Sequence, residues 1–161
     1  MLRVLGIDPG FGRTGIGVVM VTRGDAVYVA HTVIETPKED TFSNRLVSLR
    51  DELRRIIKKY KPDVVAVESL FFQTNVKTAM KVGMARGVAL LTIAEMRLPL
   101  VELTPNQVKN GITGWGGADK KQVQGMVARL LHLSEIPRPD DAADALALAI
   151  IGGLMTKISP P

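Results

Sequence analysis

Val64-Val65-Ala66-Val67-Glu68, entered through Lys61-Pro62-Asp63, is an unbroken apolar run that ends on an acid. A short run of this kind after a helix reads as a central parallel strand covered on both faces. The helix stands just before it. Leu46, Leu49, Leu53, Ile56, Ile57 and Tyr60 recur at helical spacing from about Thr41, among polar positions such as Arg50, Arg54, Arg55 and Lys58.

Upstream, Leu2 to Asp8 reads as a buried strand ending at the turn residues Pro9 and Gly10. Gly15 to Thr22 and Ala26 to Glu35 read as two further strands joined by Arg23-Gly24-Asp25, a hairpin signal. Downstream, the pattern predicts a long helix from about Asn75 to Arg97 and a fifth strand from Leu98 to Leu103. Thr104-Pro105 then sets an N-cap and a proline at the first helical position, opening a short helix that carries Lys109. Four glycines within Gly111 to Gly117 predict a loop. A helix from about Asp119 to His132 and a last one from about Asp140 to Ile151 follow, the latter stopped by Gly152-Gly153. The expectation is an α/β fold: a mixed five-stranded sheet, three antiparallel N-terminal strands plus parallel ones, with helices on both faces. Residues 1–155 are read as one domain and residues 156–161 as a short tail.

The chain has 161 residues and no cysteine, which excludes disulfides and Cys-based zinc sites. Met1-Leu2-Arg3-Val4 passes directly into an apolar run without a signal peptide's hydrophobic region, and Arg86 and Glu95 interrupt the longest apolar stretch. A cytoplasmic protein with no membrane association is expected. Formal net charge is +5. If Asp8, Glu68, Asp141 and Asp144 share one pocket, the rest of the surface is more basic still, as suits an enzyme that grips a polyanion.

Asp8 and Glu68 each end a strand, where sites form in open α/β sheets. Glu68 emerges from an apolar strand and would be costly to bury unpaired. Asp141 and Asp144 lie three apart on one helix face, flanked by Ala142, Ala143, Ala145 and Ala147, small enough to let that helix approach the sheet. Four oxygen donors without Cys or clustered His favour magnesium or manganese. Two such ions roughly 3.5–4 Å apart can clamp an in-line displacement. Taken singly, each acid has a plainer reading, as a turn residue (Asp8) or a complement to the helix dipole (Asp140, Asp141, Asp144). Those readings do not explain two buried strands that each end in a carboxylate.

At these positions the chain resembles the RuvC family of Holliday-junction resolvases, which have a ribonuclease H-like fold. The resemblance lies in Leu5-Gly6-Ile7-Asp8-Pro9-Gly10, Ala66-Val67-Glu68 with Phe71-Phe72, Lys81-Val82-Gly83-Met84-Ala85-Arg86-Gly87, and Gln107-Val108-Lys109. It continues through Gly114-Trp115-Gly116-Gly117-Ala118-Asp119-Lys120 and Asp141-Ala142-Ala143-Asp144-Ala145-Leu146-Ala147, all in family order. It implies Asp8, Glu68, Asp141 and Asp144 as metal ligands and catalytic acids for two magnesium or manganese ions. It implies Lys109 and Lys120 as catalytic basic groups, and Phe71 as an aromatic at the DNA crossover. Phe72, Asn75, Lys77, Lys81, Arg86 and Lys121 are further expected DNA contacts. The implied enzyme is a homodimeric crossover junction endodeoxyribonuclease acting in DNA recombination and repair. It would nick opposing strands of a four-way junction to leave 5'-phosphate ends, alongside a branch-migration complex. Many relatives carry an aromatic where Leu103 stands, and some a histidine where Asp141 stands.

Lysines are mostly solvated, but Lys120 at a helix start opposes the helix dipole, a hint of an anionic neighbour. Phe71 and Phe72 follow a site carboxylate, well placed to stack on a base. Trp115, alone among glycines, suits either loop packing or DNA. His31 and His132 read as structural, His132 in a helix's last turn. On the long helix, Ala79, Val82, Gly83, Ala85, Gly87 and Ala89 form a small-residue face for a dimer, beyond core-facing Leu90, Leu91 and Ile93. Two other functions compete. An actin-like or sugar-kinase-like ATPase lobe also begins with strand, Asp and Gly but needs a second lobe. A silent junction-binding module would gain nothing from four acids.

Overall fold

The computed structural model describes residues 1–10, 12–69 and 76–156. Its centre is a five-stranded sheet in the order β3-β2-β1-β4-β5. β1 (Leu2–Asp8), β2 (Arg13–Val21) and β3 (Ala26–Glu35) form an antiparallel meander, with β2 and β3 joined at Gly24, whose φ is +89°. β4 (Val64–Glu68) lies parallel to β1 on one side and to β5 (Leu100–Leu103) on the other, the central position its apolar run predicts.

Alternation along β1 and β4 divides the core into two layers. Leu5, Ile7, Val65 and Val67 face α1 (Phe42–Tyr60) and α2 (Val76–Glu95). Val4, Val64 and Ala66 face the opposite side, covered by α3 (Pro105–Thr113), α4 (Lys120–Leu130) and α5 (Asp140–Met155). Helix ends follow their sequence signals. The Thr41 side chain accepts from the backbone N–H of Asn44, and Lys61 closes α1 in the left-handed region. Thr104 with Gln107 and Asp119 with Gln122 form two capping boxes. Among the described residues no helix is long and apolar enough to cross a membrane.

Three helix-boundary expectations need correction. Gly111, Ile112 and Thr113 belong to α3 rather than to a loop: Ile112 is buried, and Gly111 lies against Ile151, whose Cδ1 a methyl group there would meet at 2.6 Å. α5 does not stop at Gly152-Gly153 but runs through both to Met155. A Cβ at Gly152 would come within 2.5 Å of the Ala66 side chain, so these glycines admit the helix to the sheet. α4 ends before His132, which adopts φ +53° beyond it.

The expected dimer face of α2 also differs. Ala85 and Ala89 are buried against this chain's own core, whereas Leu91 is exposed. The outer face of α2 instead presents Val76, Met80, Met84 and Leu91. Arg97, with φ +54°, ends the turn after α2, and β5 begins at Leu100 rather than Leu98.

Candidate active site

Two carboxylates leave the sheet side by side. Ile7 pairs with Val67 in the parallel β1–β4 ladder, so Asp8 and Glu68 stand next to one another at the strands' carboxyl ends. Ile7 and Val67 belong to the layer under α1 and α2. By alternation Asp8 and Glu68 project to the other face, toward α5.

α5 reaches that face because the strands beneath it lack side chains at the contact. A Cβ on Gly6 would overlap the carbonyl of Ala145, one on Gly15 the carbonyl of Asp141, and one on Gly17 the backbone of Leu146. Gly15 is also the register partner of Asp8. The same glycine therefore places the start of α5 above the end of β1. The alanines of α5 supply half of this close approach, and the alternate glycines of β2, not singled out in the sequence, supply the other half. Asp140 and Asp141 occupy the first turn of α5, with Asp144 in the next.

Glu68, Lys109, Lys120 and Asp144 line one cleft of about 270 Å³ together with Pro105, Val108 and Val123. Lys120, the first residue of α4, places its Nζ 3.1 Å from Asp144 and 3.7 Å from Asp140. Burial and then the charges of Glu68, Asp144 and Asp141 push the Asp8 carboxyl well above its ordinary range, with Lys120 opposing. Burial and Asp144 push Glu68 up, against Lys120 and Lys109. Burial also raises Asp144, which Lys120 draws back down. For Lys120 itself, burial disfavours the charge, but the acids around it win and raise its value. The site is thus an overcrowded set of acids, partly compensated by lysine.

Among the described residues no three acid or imidazole groups are drawn into a finished cage for an ion. The donor set nonetheless fits a hard divalent cation: it is all oxygen, and its repulsion is of the kind that such a charge relieves.

One neighbour, Arg13, lies outside the sequence expectations, and the expected contacts take varied positions. Arg13, at the start of β2, pairs with Glu35 at 2.9 Å and reaches Asp141 at 3.7 Å. Arg86 turns inward: its Nε donates to the Glu68 carbonyl at 3.1 Å, and its guanidinium pairs with Glu102. Lys77 and Lys81 are exposed near the start of α2, Lys81 with its Nζ 6.0 Å from the centre of the Phe42 ring. Lys121 shares a groove with Trp115, Met126 and Arg129. Trp115 is 61% exposed, its ring laid over Gly117. Phe71, Phe72 and Asn75 lie outside the described residues.

Residues 4–152 match the family model described as crossover junction endodeoxyribonuclease RuvC. The RuvC of Thermosipho melanesiensis is 55% identical over 148 residues, covering 92% of this chain and 94% of that protein. The RuvC of Thermotoga maritima is 48% identical over 156 residues, covering 97% and 93%. Thermus thermophilus RuvC, solved in complex with a Holliday junction substrate, superposes with a TM-score of 0.89 at 36% identity, over 94% of this chain and 92% of that one. A yeast mitochondrial Holliday junction resolvase, 16% identical with a TM-score of 0.69, shares the fold. With this match running from the first strand into the last helix, the chain belongs to the RuvC family of crossover junction endodeoxyribonucleases.

Proposed function

We infer that the chain resolves four-way DNA junctions by hydrolysing one phosphodiester on each of two opposing strands, leaving 5'-phosphate ends in recombination and repair. The observation that carries the site assignment is the convergence of Asp8 and Glu68 on Asp144 of α5, with Lys120 among them. In this reading Asp8, Glu68, Asp141 and Asp144 are the metal-holding acids. The ions are magnesium, with manganese able to replace it, two to a site. Divalent cations, when bound, supply positive charge at the scissile phosphate and lower the pKa of an attacking water. The four acids hold that charge in place and must be ionised to do so. Lys109 and Lys120 enter the same cleft from α3 and α4, where their charge stabilises the phosphorane as its negative charge grows. Residues 1–155 act as one domain carrying one such site, and two copies related by a two-fold axis supply the paired cuts. We place the enzyme in the cytoplasm, beside a branch-migration assembly on the same junction, with Phe71 stacked at the crossover.

Incubating the protein with a synthetic four-way junction and a linear duplex of the same sequence, with magnesium and with chelator, tests this. Wild-type protein should nick only the junction, and only with the metal. Asp8→Asn, Glu68→Gln, Asp141→Asn and Asp144→Asn should each bind it without cutting. Near-normal nicking by Glu68→Gln would remove the site assignment.

A further inference from the structure

We propose that Arg86 is a positioning residue for Glu68, acting from α2 through the Glu68 backbone, with Glu102 of β5 holding its guanidinium in place. The proposal rests on the acid-site reading above.

Glu68 is the last residue of β4, where the ladder to β5 runs out at the Glu68–Leu103 pair. The next strand-like hydrogen bond, from the Ser69 N–H to the Leu103 carbonyl at 2.7 Å, leaves the Glu68 carbonyl oxygen to other donors. Arg86 Nε donates to it at 3.1 Å. A hydrogen bond from a guanidinium is stronger than one from a neutral donor. Together with the Ser69 N–H bond on the same peptide unit, it holds the peptide plane that follows Glu68 from both ends and so steadies the direction in which the Glu68 carboxylate leaves the strand. The other end of the guanidinium is anchored by the Glu102 carboxylate, one residue before the end of β5. Arg86 thus joins α2, β4 and β5 at the point where a site carboxylate is presented.

Its exposure separates this role from that of a DNA-gripping arginine. The Arg86 side chain is only 17% exposed, while Glu102 is 48% exposed. A phosphate contact needs its cationic head in solvent, and this head is turned to a carbonyl and a carboxylate of its own chain. Lysine cannot replace it, because a single ammonium lacks the planar fork that serves both acceptors.

Manganese binding by calorimetry in the absence of DNA, single-turnover cleavage at saturating junction, and junction affinity in chelator at several salt concentrations test the proposal. Arg86→Gln should weaken manganese binding by about 10- to 100-fold, the usual cost of losing a group that orients a ligand. The cleavage rate should fall with it, while junction affinity and its salt slope stay as in the wild type. Arg86→Lys should recover little. Glu102→Gln, which keeps the shape of a half-exposed side chain, should shift manganese binding in the same direction by less, and decides the matter if Arg86→Gln fails to fold. In a Glu68→Gln background, Arg86→Gln should add no further loss of manganese affinity. A salt slope lower by about one unit in Arg86→Gln would mark a phosphate contact and overturn the proposal. So would unchanged manganese affinity in Glu102→Gln together with Arg86→Gln. If Glu68→Gln itself binds manganese normally, the acid-site reading falls and the proposal falls with it.

Discussion

Asp8 meets burial and three neighbouring acids together, and its raised carboxyl value has a consequence for stability. The folded chain binds this proton more tightly than the unfolded chain does. Its contribution is therefore most favourable below the unfolded value of about 4, and is lost as pH rises through the raised folded value. Without metal, holding Asp8 as a carboxylate costs the folded chain stability, and that cost grows as pH rises above the unfolded value. Asp8→Asn should raise the melting temperature at pH 7 in chelator by at least about 2 °C, the shift from roughly 1 kcal/mol in a chain of this size. The gain should shrink toward pH 4, and scanning calorimetry at both pH values checks it. The lysines make a second prediction. Lys120→Ala should reduce the single-turnover rate by about 10²- to 10³-fold, as expected for a lost donor to developing charge. It should also move the acid limb of the rate profile to higher pH, because Asp144 and Glu68 lose the cation that draws their values down. A pH–rate series on both proteins would decide this. The acids were legible in the sequence because Asp8 and Glu68 each closed an apolar strand. Arg13 was not, because its partners Glu35 and Asp141 become neighbours only when β2, β3 and α5 assemble. Arg86 was expected as a DNA contact, and its carbonyl partner on Glu68 could not be read because α2 meets the end of β4 only in the assembled fold.

α5 is the element through which packing becomes chemistry. Its backbone rests on Gly6, Gly15 and Gly17, and this contact brings Asp141 and Asp144 over the ends of β1 and β4. Apolar periodicity and strand ends were readable, so element order followed from the sequence, while register came only with the structure. Gly111, Gly152 and Gly153 were read only as punctuation, whereas they sit inside helices where neighbouring side chains leave no room for a Cβ. Local propensity opposes glycine in a helix by about 1 kcal/mol, and only tertiary contact shows why it is kept. Gly15→Ala should destabilise the protein by about 3 kcal/mol, the upper end for forced overpacking, because a Cβ there overlaps the Asp141 backbone. It should also weaken manganese binding by lifting Asp141 away from Asp8. Gly125→Ala is the matched control: a Cβ in that α4 position meets nothing within 4 Å, so stability should rise by about 0.5–1 kcal/mol. Urea unfolding of the two variants measures both effects, and equal destabilisation would contradict this account of α5.

At the scale of the whole molecule, one chain offers one acid site, yet a junction is resolved by two cuts related by symmetry. A two-fold dimer supplies that relation. Among the described residues, the outer face of α2 offers an apolar surface suited to it, with Met80, Met84 and Leu91 roughly half exposed and Val76 more so. Their spacing lines them along one side of the helix, where Gly87 adds no side chain to block a second backbone. Methionines and leucine in this arrangement are costly to leave in water, and two copies facing one another would cover them. The buried positions of the same helix behave differently. Ala85 packs against the chain's own core, so Ala85→Glu should prevent folding by burying an unpaired charge, rather than yield a clean monomer. Met84→Glu and Leu91→Glu place the charge on the outer face, where the monomer can solvate it and the dimer cannot. These variants should keep their circular dichroism and their manganese affinity, sediment as monomers at micromolar concentration, and bind the junction more weakly. On a supercoiled cruciform they should release singly nicked circles in place of paired cuts. Dimeric Leu91→Glu and Met84→Glu with paired cutting intact would show that the two copies meet through some other surface.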